Sequence, residues 1–167
     1  MQTTPYVLAA TLGILPLVLA TQQSAAPAPD PSHHDGVTSR GEHAMGFSHE
    51  TTTHHFRLSK TGGIIEVSAN DRKDAATRDQ IHMHLAHIVK RFSSGDFNVP
   101  MFIHDTMPPG AAVMAKLREQ IRYLYRDTPG GAQIQINTAN PEALQAIHAF
   151  LRFQISDHQT GDATEVQ

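Results

Sequence analysis

IHMHLAHIVKRFSSGD, residues 81–96, returns in outline as IHAFLRFQISDHQTGD at residues 147–162. Both copies open Ile-His-x-x-Leu, and in both the His is followed fourteen residues later by the Asp of a Gly-Asp pair, Asp96 after His82 and Asp162 after His148. The match extends backwards. Gly62-Gly63 precedes the first copy and Gly130-Gly131 the second, each followed by an alternating apolar run and an Ala-Asn pair. From the second glycine to the His the spacing is nineteen residues in the first copy and seventeen in the second, a difference that a loop between strand and helix absorbs. The pattern predicts two duplicated hairpin-helix (ββα) units, with His82 and His148 in equivalent places.

The local signals agree. His54, Phe56 and Leu58 alternate with His55, Arg57 and Ser59, the period of a half-buried strand, and place His54 on the core face. Ile64 to Ala69 returns as the second strand. Asn70, Asp71 and Asp74 are helix-start residues, after which Ile81, Leu85, Val89 and Phe92 form a helical stripe with His82 on its edge. Phe97 to Gly110, punctuated by Pro100, Pro108 and Pro109, reads as a loop, and Ala111 to about Ile121 as a short amphipathic helix. Tyr123 and Tyr125 alternate on a third strand, Ile134 and Ile136 on a fourth. Asn140 as N-cap, Pro141 at the first helical position and Glu142 beside the helix dipole make the clearest helix start in the chain. Leu144, Ile147, Leu151 and Ile155 are its inward stripe, and His148 falls within it. The expected fold class is α+β: an antiparallel four-stranded sheet with the repeat helices on one face, the two units sharing one sheet within a monomer or across a homodimer.

Ahead of this domain, Val7 to Ala20 is an almost unbroken apolar run, too short for a membrane-spanning helix and suited to the apolar region of a secretory signal, with small residues before a cut after Ala20. The expected divisions are a signal peptide over 1–20, a disordered Ala/Pro/His linker over 21–45, one α+β domain over 46–162 with repeats at 54–96 and 121–162, and a tail over 163–167. Export in a bacterium means a periplasmic or secreted protein, off the membrane in its mature form.

Composition narrows the chemistry. The 167 residues are 40% apolar, enough for one core, and carry a net charge of -3, without the basic footprint of nucleic-acid binding. There is no cysteine, which excludes disulfides, thiolate catalysis and Cys-containing metal sites, but there are twelve histidines. Imidazole ligates zinc, copper, nickel and iron. The candidate ligands are His54 or His55 of the first strand with His148, together with His82; His104, flanked by Met101 and Met107, suits Cu(I). His84 and His87, three apart on one helix, are neighbours. The competing reading of His82 and His148 is a hydrogen-bonded core histidine. No hydrolase, phosphate-loop or dinucleotide motif is present. The expected function is transition-metal binding, copper or zinc, for tolerance or delivery, with the metal ion as partner. The alternatives are a non-enzymatic pocket for a small ligand, or for a haem held by His148, and a structural or interaction domain.

Overall fold

The computed structural model describes Gln2 and residues 31–167. Apart from Gln2, the expected signal segment and residues 21–30 lie outside the described residues. Helix α1 spans Pro31–Met45, followed by strands β1 (Thr52–Ser59) and β2 (Gly62–Ala69), helices α2 (Ala75–Ser93), α3 (Asn98–His104) and α4 (Ala111–Lys116), strands β3 (Ile121–Thr128) and β4 (Gly131–Thr138), and helix α5 (Pro141–Asp157). The strands form one antiparallel sheet in the order β1-β2-β4-β3, and the α+β class expected from the sequence is what the chain adopts.

The sheet is symmetric in register. β2 and β4 pair with Ile65 opposite Ile134 at the centre, Gly62 opposite Asn137 at one end and Ser68 opposite Gly131 at the other. The strands of the second hairpin begin 69 residues after those of the first, 121 less 52 and 131 less 62, whereas the Ile-His motifs are 66 apart, 147 less 81. The second strand-to-helix loop is therefore three residues shorter. A close approach fixes glycine at both symmetric positions: a β-carbon would lie 2.0 Å from the Ile136 carbonyl oxygen at Gly62 and 2.3 Å from that of Val67 at Gly131.

One face of the sheet is the core. Phe56 and Leu58 of β1, Ile65 and Val67 of β2, Ala132, Ile134 and Ile136 of β4, and Ile121 and Tyr123 of β3 are buried there. Helix α2 lies chiefly over β3 and β4, and α5 chiefly over β1 and β2, so each helix covers the hairpin of the other unit. Their stripes meet the sheet through Ile81, Leu85 and Ile88 on one side and Ile147, Leu151 and Ile155 on the other, each burial contributing about 2 kcal/mol. Caps hold the starts. The Asp74 carboxylate accepts from the Thr77 N–H, and the Asn140 side chain accepts from the N–H groups of Glu142 and Ala143.

Four segments differ from their sequence reading; one is the helix expected over Ala111 to about Ile121, which ends at Lys116 and gives way to a 3-10 turn at Arg118–Gln120 and then to β3. Residues 31–45, expected as part of a disordered linker, form α1 because tertiary contacts order them: Val37 and Met45 are buried, Arg40 Nε donates to the Ile103 carbonyl, and the Glu42 carboxylate accepts from the Ser48 hydroxyl and the His49 N–H. The expected loop after Phe97 contains α3, in whose first turn Pro100 removes no needed hydrogen bond, and which ends at Asp105 in the left-handed region (φ 52°). The expected tail is tied to β1. Val166 bridges Leu58, the Gln167 N–H donates to the Leu58 carbonyl, and Asp162 accepts from the Phe56 N–H. No helix among the described residues is long and apolar enough to cross a membrane.

Candidate functional site

The five histidines singled out in the sequence do not meet. His82, on α2, donates from Nε2 to the Gly131 carbonyl at 2.8 Å, and His148, on α5, donates to the carbonyls of Ser59 at 2.9 Å and Gly62 at 3.1 Å. Each repeat histidine thus pins the hairpin turn of the opposite unit. With Nε2 committed to carbonyls, His148 does not join His54. His55 lies on the other side of β1, its Nδ1 donating to Asp162 at 2.9 Å. That carboxyl is raised by burial but held below the usual carboxylate range by the Phe56 N–H, Thr160 and His55 together. His104 is only 1% exposed, while Met101 and Met107 are exposed, so the expected Met-His-Met set does not converge. His84 packs edge-on to Phe47, and His87 accepts from Arg91 Nε.

His54 is where alternation placed it, on the core face, and four further imidazoles gather round it. β1 brings His54, the 3-10 turn His49–Thr51 brings His49, and the C-cap of α5 brings His158. Ring centres are 5.2 Å apart for His49 and His54, 5.7 Å for His49 and His158, and 6.0 Å for His54 and His158. His104 of α3 stands edge-on to His158 at 4.9 Å. From α1, His34 shares a cavity of about 230 Å³ with His49, His54, His158, Thr38, Thr52, Thr53 and Thr160. His33, one residue earlier, donates to Asp157 at 2.8 Å, the carboxylate whose other oxygen accepts from His104 Nδ1 at 2.5 Å.

Burial sets the charge of this cluster. The His54 ring is pushed down to about 3, first by desolvation and then by the neighbouring His49, His84 and His55. His158 lies well below its ordinary value through desolvation, with repulsion from His104, His54, His49 and His34 added. His49 is lowered by desolvation against the pull of Glu42, and His84 goes to about 4 by desolvation and His87. At neutral pH these rings are uncharged and carry free lone pairs, the form that ligates metal. Several have no hydrogen-bond partner: His34 Nδ1, both nitrogens of His49 and His54 Nε2. Orphaned buried polar atoms in such number ask for an explanation, an ion among the candidates.

The donor set, all imidazole, suits a borderline divalent ion or Cu(I). Two imidazoles sharing a tetrahedral ion have ring centres about 5 Å apart, close to the spacing seen. The rings lie nearly parallel, however, at 27°, 24° and 3° for the three pairs, and no three His, Asp or Glu side chains among the described residues stand ready to hold an ion. Rotation about the terminal torsions of His49 and His54, both free of hydrogen bonds through these nitrogens, is what such a site requires.

Sequence reasoning reads His34, His43 and the nearby His49 only as imidazoles of a tail able to hold metal weakly, and it does not bring together with His54 the rings of His34, His49 and His158. They stand on three separate elements that no spacing rule links; the one available signal was Ser48-His49 and Thr53-His54 at the entry to the first strand, with His158 just past the end of the last helix. The chain matches no protein-family model, no curated protein and no solved structure, so the chemistry of this cluster stands on its own residues.

Proposed function

We propose that the protein is an exported bacterial metal-binding protein that holds a transition metal, copper or zinc, on the imidazoles of His49, His54 and His158, with His34 closing the site from α1 and acting in metal tolerance or delivery. The carrying observation is the triangle of half-buried, uncharged rings at ligand-sharing distances, with unpartnered nitrogens on His49 and His54. The apolar run Val7 to Ala20 supports export, and the constant strand offset supports an internal duplication in which the repeat histidines kept a structural duty and the metal site arose elsewhere.

The test is elemental analysis and titration with Cu and Zn on the chain from Thr21, against the same chain from Gly46. One ion per chain is expected, lost in His54→Ala and His158→Ala, weakened by roughly tenfold or more without residues 21–45, and kept in His55→Ala, His82→Ala and His148→Ala. Absence of any chelator-resistant ion, or loss in His148→Ala with retention in His54→Ala, overturns the proposal.

A further inference from the structure

A second cavity adjoins the imidazole cluster and shares His54 and His158 with it, while its apolar walls take no part in the metal reading. Its volume is about 70 Å³, room for about five water-sized groups. Its walls come from β1, β2, α2, α3 and α5, with Met45 of α1. They include Phe56, Ile65, Val67, Ile88 and Phe150 and, at one end, His54, His158, His104 and Gln154. No Lys, Arg, Asp or Glu lines it, so a charged occupant would be desolvated without a counter-charge.

Two polar groups point to an occupant. Gln154 is 5% exposed, and its Nε2 has no partner. Its amide oxygen is 3.1 Å from His104 Nε2. His104 gives its Nδ1 proton to Asp157, so in the neutral ring Nε2 is an acceptor and the amide turns its NH₂ group towards it, leaving the oxygen orphaned instead. Whichever way the amide lies, one polar atom is left over. His54 Nε2 is the other orphan on the same wall. A hydroxyl both donates and accepts, and so satisfies either orientation, and the rest of the walls call for hydrocarbon.

We infer that this cavity binds a small neutral molecule of a few carbons bearing one hydroxyl, a short-chain alcohol in chemical class, with its hydroxyl on Gln154 and His54 and its carbons against Ile65, Val67 and Ile88. The cavity shares His54 and His158 with the proposed ion site, so a hydroxyl and an ion on His54 Nε2 exclude each other, and alcohol binding is read without metal.

The probe is 1-butanol, titrated into the full chain with labelled methyl groups, with chelator present throughout so that the outcome is independent of metal. Saturable shifts confined to the methyls of Ile65, Val67, Leu85 and Ile88 are expected. Gln154→Leu should weaken binding roughly fivefold for 1-butanol, the worth of one neutral hydrogen bond, and leave 1-chlorobutane unaffected. Val99→Phe, at a half-buried wall position, should abolish both. Shifts that do not saturate, that spread over the surface, or that weaken equally for both probes in Gln154→Leu would overturn the inference. Should Val99→Phe fail to fold, the methyl map and the Gln154→Leu comparison decide it alone.

Discussion

His54 enters the core on the strand face of Phe56 and Leu58, and its ring stays neutral because the protonated form would be buried without a partner. In the folded chain its value is about 3 against about 6.5 when unfolded, so above pH 6.5 both states carry the same charge and linkage contributes nothing. As pH falls from 6.5 towards 3 the unfolded chain takes up the proton first, and stability drops by about 1.4 kcal/mol per pH unit for each such ring. His158 and His84 act in the same sense. Urea unfolding with chelator should therefore give a midpoint that declines from pH 6.5 to 4.5, with a shallower decline in His54→Phe; a flat profile would mean that the rings titrate normally. His148→Ala and His82→Ala act differently, each freeing a hairpin turn. A loss of about 1.5 kcal/mol for His148→Ala, with metal binding intact, is the expected outcome of thermal unfolding and titration side by side. Strand alternation was enough to put His54 in the core. The committed nitrogens of His148 and His82 were not legible, because periodicity gives a side chain's face and not its partner, and the partners lie 89 and 49 residues away.

Helix α1 has the weakest local case of any element. Gly36 and Gly41 interrupt it, no acidic residue occupies its first turn, and its order comes from docking on α3 and on the turn at His49. It also supplies His34. Backbone amides of residues 37–45 should exchange fast with chelator and at least tenfold more slowly with one equivalent of the proposed metal; unchanged exchange would separate α1 from the site. The linker reading of this segment failed because composition measures what a segment buries by itself, whereas Val37 and Met45 are buried by others. Helix α5 shows the opposite case. Asn140, Pro141 and Glu142 announce its start locally, and it starts there.

The two hairpin-helix units are joined twice, once through the β2–β4 seam and once through helices exchanged over each other's hairpins. Neither unit keeps a core without the other, and both contributions come from one chain, so no second copy is needed to complete the sheet. Residues 31–110 and 111–167 expressed separately should each remain unfolded by circular dichroism and recover sheet and helix only when mixed; an independently folded half would show that the seam is dispensable. Repeated motifs and alternation sufficed for the sheet, the hairpins and both repeat helices. The exchange was not legible, since the strand-to-helix loops, of different length, permit packing on either hairpin. Nor was the meeting of α1, β1 and the end of α5 that builds the imidazole cluster.

The sheet's two rims are unequal. Along β1, Asp162 occupies the Phe56 N–H and Val166 with Gln167 lies against Leu58, while among the described residues β3 pairs only with β4. Such a sheet has a valence of one. It can meet a second copy edge to edge through β3 and then stop, because each partner's far rim is already plugged; growth into a fibre requires residues 162–167 to let go first.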